Sequence, residues 1–157
     1  MRSTCAIVLF ILAFGLMPVR ATAQALYTAA GLGPTPVLEG RSGNRNWFGM
    51  VGYQGAGTLG GRLSGSETLS RLWLSADLTV QPGARWRPVR PYLLVGAGVV
   101  LDLSESDPLL SAGAGMRGQL TRLVFGFLEV RLHAIPGSAT TGPSTILPIT
   151  LGIGLGR

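Results

Sequence analysis

The chain has 157 residues, 24 of them glycine, with 13 basic side chains against 7 acidic ones and a formal charge of +6. Residues 24–157 contain eleven arginines, no lysine, one histidine and no cysteine, which excludes disulfides, thiolate metal sites and cysteine nucleophiles together. A basic balance can mark a nucleic-acid partner, but these arginines stand singly along the chain rather than in a patch, and nucleic acid is not expected.

The first element is a leader. Arg2 supplies a positive charge, Ala6 to Met17 is an almost unbroken apolar run, and Ala21-Thr22-Ala23 is a small-x-small site; that order is a Sec signal peptide, read here as residues 1–23 with Gln24 as the mature start. The run is shorter than the ~20 residues a spanning helix needs, and Pro18 and Arg20 close it. Cys5 has no lipobox-like setting. Residues 24–157 suit one domain.

After Gln24 the periodicity is two rather than 3.6, and interior glycines, each costing a helix ~1 kcal/mol relative to alanine, recur throughout. In chain order, Ala25 to Leu32, Trp47 to Gln54 and Leu59 to Ser66 are the weaker alternating runs. Leu69 to Gln81 is the clearest: Ser70, Leu72, Leu74, Ala76, Leu78 and Val80 share one face, and Arg71, Trp73, Ser75, Asp77 and Thr79 the other. Tyr92 to Leu103 sets Leu93, Val95, Ala97, Val99 and Leu101 against Tyr92, Gly96, Gly98 and Asp102. Leu110 to Gln119 sets Leu110, Ala112, Ala114 and Met116 against Ser111, Gly113, Gly115 and Arg117. Val124 to His133 opposes Leu128, Val130 and Leu132 to Glu129, Arg131 and His133. A last strand sets Leu147, Ile149, Leu151, Ile153 and Leu155 against Pro148, Thr150 and three glycines.

Short links such as Gly55-Ala56-Gly57 and Leu120-Thr121 favour antiparallel neighbours, so eight strands predict an all-β, up-and-down antiparallel meander. An even count puts both termini on one side. The links after strands one, five and seven become external loops and those after two, four and six become turns on the side of the termini, although Pro82 to Arg90 is long for a turn. The connection after strand three is expected at Gly65 to Thr68.

The alternation fits a soluble barrel with its apolar face inward or a membrane barrel with that face in lipid. Lipid is favoured. The second face is mostly Gly, Ser and Thr with isolated charges, not the Lys- and Glu-rich surface a soluble protein carries. The apolar faces hold no charge along whole strands, as they must where a mid-membrane Arg costs ~2–4 kcal/mol. Strands four to eight reach the ~9–11 residues of a tilted span, and closure leaves no unpaired edge in hydrocarbon. Tyr27, Trp47, Phe48, Tyr53, Trp86 and Tyr92 lie near predicted strand ends or turns, where interfacial rings belong; each is equally explained as a packing aromatic. Trp73 points inward.

The pattern resembles the small outer-membrane β-barrels, the OmpA-like and opacity-porin-like group. It is carried by Pro91-Tyr92 with Gly96-Ala97-Gly98, Ala112-Gly113-Ala114-Gly115, Phe127 to Arg131, and Pro148-Ile149-Thr150-Leu151-Gly152. The resemblance implies an eight-stranded transmembrane barrel, exported to the bacterial outer membrane and inserted by the barrel-assembly machinery. Chains of that group usually end in an aromatic, often Phe; this one ends Leu155-Gly156-Arg157. Pro148 inside the last strand is expected to mark its outer start or a bulge.

Catalytic constellations are sparse. His133 is the one imidazole, and a serine nucleophile paired with it and oriented by Glu129 would resemble barrels that modify lipid A. Glu129 and His133 stand about 13 Å apart along a strand, and the position two residues after the histidine, where that family has its serine, is Ile135; Ser138 is the nearest serine downstream. A histidine of the lumen or of a loop base is the plainer reading. No phosphate-loop spacing follows the Gly55 to Gly61 stretch, since no Lys follows it. Arg41 and Arg45 are candidates for lipopolysaccharide phosphates, or simply solvated loop charges. Arg62, Arg71, Asp77, Asp102, Arg117, Glu129 and Arg131 all take the inward parity and form the candidate site, a structural network of lumen charges, since a buried charge must be paired or hydrated. No catalytic residue, cofactor or metal is expected. A non-enzymatic envelope barrel acting through its loops leads the readings, followed by a narrow porin or small-ligand carrier, a lipid A-modifying enzyme, and a soluble periplasmic lipid-binding barrel.

Overall fold

The computed structural model describes residues 25–36, 44–55, 58–82, 89–102, 106–136 and 145–156. Residues 1–23, where a leader is expected, and Arg41, Trp86 and Ser138 lie outside the described residues. The strands are β1 (Ala25–Thr35), β2 (Asn44–Gln54), β3 (Leu59–Thr68), β4 (Arg71–Val80), β5 (Val89–Leu101), β6 (Ser106–Gln119), β7 (Val124–Ala134), a two-residue β8 (Thr145–Ile146) and β9 (Ile149–Gly156). From β1 to β7 every strand pairs antiparallel with its sequence neighbour, β8 and β9 both pair antiparallel with β7, and β1 pairs with β9 to close the wall. β8 and β9 follow one register along β7 and are two pieces of the eighth barrel strand.

The ladder fixes the barrel's shape. Followed from strand to strand, Val124 pairs with Leu155, then Thr28, Val51, Leu63, Ala76, Ala97, Leu110 and finally Ala134. One circuit thus returns to β7 ten residues further on. A stagger of that size on eight strands tilts them by roughly 40° and leaves an interior that side chains fill.

Alternation sorts the wall. Leu63, Leu78, Leu93, Val95, Leu110, Leu151 and Ile153 are exposed outward, Leu151 at 65%. Their neighbours one residue away point into the barrel and are buried. Both faces follow the parity read from the sequence.

Strand ends differ from expectation. β1 and β2 lengthen into what reads as loop, pairing as far as Thr35↔Asn44. β6 begins at Ser106 and includes Pro108, which pairs with Val99 beyond the point where β7 joins at Leu110; with one neighbour to serve there, the proline is tolerated. The β3–β4 connection is not Gly65 to Thr68. Thr68 still pairs with Arg71, and the turn is Leu69–Ser70, both at positive φ (55° and 62°). That is the backbone a two-residue hairpin demands, imposed by the ladder on residues with no preference for it. Pro148 marks no bulge. Arg131 N–H donates to its carbonyl at 3.0 Å and Leu147 N–H donates to the Pro36 carbonyl at 3.0 Å, so the register runs straight through.

Candidate functional site

Seen from the strands, the interior is layered. Its middle is charged. Arg62 on β3 reaches across the lumen to Glu129 on β7, Nη1 donating to Oε2 at 2.7 Å and Nη2 to Oε1 at 2.9 Å, while its Nε donates to Asp77 Oδ2 on β4 at 3.1 Å. β3 and β7 lie on opposite walls of the barrel, so this bidentate pair pins the two sides together. Arg131 Nη1 lies 3.3 Å from Asp77 Oδ2, and its Nε donates to Glu129 Oε1. Two arginines and two carboxylates make the layer neutral.

Neutral donors complete it. The Tyr92 hydroxyl donates to Glu129 at 2.6 Å, and Ser64 and Ser111 donate to Asp77 at 3.0 and 3.1 Å. Ser75 shares a 2.8 Å hydrogen bond with Ser64. Charges removed from water at this depth are tolerable only when each is both paired and hydrogen-bonded, and bidentate arginine–carboxylate geometry is the strong form.

Apolar layers bracket the charges. Tyr27, Ala29, Phe125 and Phe127 lie toward the termini, and Met50 and Phe48 continue that cluster up to the level of the charges; Tyr27 meets Phe125 edge-on at 5.9 Å between centroids, and Arg131 sits 4.7 Å over Phe48. Toward the other end Trp73, Val100, Leu109, Ile135 and Ile146 form a second cluster, with Leu69 of the hairpin turn packed on it. A cavity at the termini side, walled by Tyr27, Arg62, Thr79, Tyr92 and Arg117 among others, measures about 10 Å³, room for about one water.

The seven charges singled out from parity therefore fall into three places. Arg62, Asp77, Glu129 and Arg131 form the central layer. Arg71 and Asp102 pair at 3.1 Å at the rim away from the termini, half open to solvent. Arg117 joins neither group: it lies near the termini with its guanidinium over the rings of Tyr27 (4.9 Å) and Phe125 (5.0 Å).

Parity also places Tyr27, Phe48 and Tyr92 in the lumen, buried to 7% exposure or less. They are packing aromatics. Trp47 and Tyr53 face outward. Sequence reasoning missed the apolar bracketing layers, yet the signal was present, since Phe125 and Phe127 share the parity of Glu129, and Leu109 that of Ser111.

His133 is 4% exposed, packs at a tilt against Trp73 with 5.5 Å between ring centroids, and has no partner at Nδ1. Glu129, committed to Arg62, Arg131 and Tyr92, is not oriented toward it by any hydrogen bond among the described residues. Ile135 lines the apolar cluster.

No family model matches the chain, and no curated protein matches it in sequence. Solved structures do. The N-terminal β-barrel domain of Pseudomonas aeruginosa OprF aligns with a TM-score of 0.64 at 16% identity, over 87% of this chain and 98% of that one. Neisserial surface protein A aligns at 0.61 and 16% identity, over 85% and 94%. Ail of Yersinia pestis, in complex with the heparin analogue sucrose octasulfate, aligns at 0.60 and 14%, over 87% and 100%. The fold is that of the small eight-stranded transmembrane barrels of outer membranes.

Proposed function

We propose that residues 24–157 form a non-enzymatic outer-membrane barrel, exported by cleavage of residues 1–23, whose role in the cell envelope is structural or exerted through the surface at the end away from the termini. The observation that carries this reading is the lumen: a neutral, hydrogen-bonded charge layer between two apolar layers fills the barrel, so the interior is built to be solid. The termini-side cavity among the described residues, about 10 Å³, is too small to pass a solute, which favours a structural lumen. What remains for function is the apolar outer wall, in contact with lipid and lipopolysaccharide, and the loops it presents; the barrel-assembly machinery is the partner implied for insertion.

Two measurements test it. The folded chain should migrate faster than its boiled form in SDS gels, and planar bilayers containing it should show no discrete conductance. Identical migration would refute a closed membrane barrel, while regular conductance steps would turn the reading toward the narrow porin. A lipid A mass shift that depends on His133 would instead favour the enzyme, against the buried setting of that side chain beside Trp73.

A further inference from the structure

We propose that the cavity at the termini side of the lumen binds a monatomic anion of chloride size, held by the Arg117 guanidinium and the Thr79 hydroxyl. Arg117 is the lumen cation that the charge layer leaves out. Arg62 and Arg131 share two carboxylates, and Arg71 has Asp102. Arg117 makes no hydrogen bond or ion pair with any described residue. Its contacts are the rings of Tyr27 and Phe125, whose centroids lie 4.9 and 5.0 Å from the guanidinium carbon. Rings over the faces of that planar group leave its N–H donors, all on the edge, for an acceptor elsewhere. Arg90, its cross-strand partner, is exposed at the rim and adds positive charge rather than removing it.

A second observation points to a ligand in the same cavity. Thr79 is 3% exposed and its hydroxyl has no hydrogen-bond partner, although it lines the cavity with Arg117. Gly60, directly opposite on β3, contributes no side chain there, and a Cβ would stand 2.7 Å from that hydroxyl. The cavity wall carries two arginines, Arg62 and Arg117, and no carboxylate. Arg62 is neutralised in the central layer by Glu129 and Asp77. The other described acids, Glu67, Asp102 and Asp107, lie toward the far end of the barrel. A charge withdrawn from water must be paired or hydrated, and nothing among the described residues pairs with Arg117.

Size and charge then select the ligand. At about 10 Å³ the cavity has room for about one water, which excludes phosphate, sulfate and carboxylate groups. A halide is little larger than water and fits. Water would satisfy Thr79 but brings no charge, so Arg117 would stay uncompensated. A halide accepts from both donors and neutralises the cation, and hydrogen bonds between ionised partners are the strong ones. Gln54 and Gln81, half-buried and joined by a 3.0 Å hydrogen bond, stand at the termini-side edge of the cavity, where ions reach it from the aqueous mouth. On the inner side the bidentate Arg62–Glu129 pair closes the lumen. The site is a dead end, not a conduit.

The test uses the full mature chain folded in neutral detergent. Chloride binding is read from the excess width of the chloride magnetic-resonance line, and the unfolding midpoint is compared in sodium chloride and sodium gluconate at equal ionic strength. The parent chain should broaden the line and unfold later in chloride, since a ligand held only by the folded state stabilises it. Bromide should displace the chloride and sulfate should not. Arg117→Gln should weaken binding about tenfold or more and Thr79→Val about fivefold, for the loss of a charged and a neutral donor respectively. Arg122→Gln, at an exposed position in the turn at the same end, should match the parent. No excess width in the parent, undiminished width in Arg117→Gln or Thr79→Val, or displacement by sulfate as readily as by bromide would overturn the assignment. Should Arg117→Gln fail to fold, Thr79→Val decides, because it keeps the shape and removes only the hydroxyl. The gel shift of each sample separates causes: a parent chain without the shift defeats the closed barrel, whereas a shifted barrel indifferent to chloride defeats only the anion site.

Discussion

Arg62 is hydrogen-bonded to both carboxylates of the central layer, and its removal would leave Glu129 and Asp77 buried with only Arg131 between them. Breaking a buried ion pair by deleting one partner costs about 3–5 kcal/mol, so Arg62→Ala should lower unfolding stability in detergent by that order. Arg71→Ala, which removes a half-exposed pair with Asp102, should cost about 1 kcal/mol or less. Urea titrations of the two variants side by side check the contrast, and comparable losses would mean that the central layer is not what holds the walls in place. Gly96 belongs to the same argument. A Cβ there would collide with the Asp77 carboxylate and the Ala76 carbonyl, so Gly96→Ala should cost about 1–3 kcal/mol through overpacking. These residues were legible in the sequence only as a parity. Period two told that Arg62, Asp77, Glu129 and Arg131 face the same interior, but which of seven inward charges meet depends on the ten-residue stagger, a property of the closed ladder that no single strand carries.

At the level of elements, the β3–β4 hairpin is the point where local preference and tertiary demand disagree. Leu69 and Ser70 both occupy the left-handed region, which costs an L-residue roughly 1–2 kcal/mol. The sequence signal there, a glycine at position 65 in a Ser/Gly run, points four residues too early, because Gly65 sits in the pairing opposite Leu74 and serves the wall. Ser70→Gly should relieve the strain and raise stability by roughly 1 kcal/mol. Leu69→Gly should gain little or lose, since Leu69 also packs on the Trp73 cluster; equal gains from both would show that this packing contributes nothing. Pro148 is the second such place. Its carbonyl serves the ladder but it has no N–H to return to Arg131, so Pro148→Ala should recover about 0.5–1.5 kcal/mol for the restored hydrogen bond, read from the unfolding midpoint. Strand existence, order and facing were legible because alternation is local. Strand ends were not, because the pairings that extend β1, β2 and β6 run into stretches of loop composition (Gly33-Pro34, Asn44 to Asn46, Ser106 to Pro108) that only the continuing hairpin ladder makes strand.

The whole molecule is a wall with a dry outside, a filled inside and two unlike ends. Its exterior holds Leu78, Val99 and Leu151 exposed on a protein whose lumen is already packed, so these side chains need a nonaqueous neighbour outside rather than a core within. Large continuous apolar exposure on a solitary soluble protein is unstable toward association, and this surface, rather than the fold name, supports the proposed location in a membrane. Orientation follows from connectivity: β1 begins and β9 ends on one side, the Leu69–Ser70 turn lies on the other, and the Thr121 turn lies with the termini. On the proposed export route the chain arrives from the periplasm, and the termini should remain there. Single cysteines test both statements at once in a chain that otherwise has none after residue 24. In intact cells a water-soluble maleimide should modify Ser70→Cys, reach Thr121→Cys only after the outer membrane is permeabilised, and leave Leu78→Cys, Val99→Cys and Leu151→Cys unmodified in both conditions. Labelling of the last three in intact membranes would place the greasy face in water, and labelling of Thr121→Cys before permeabilisation would invert the barrel.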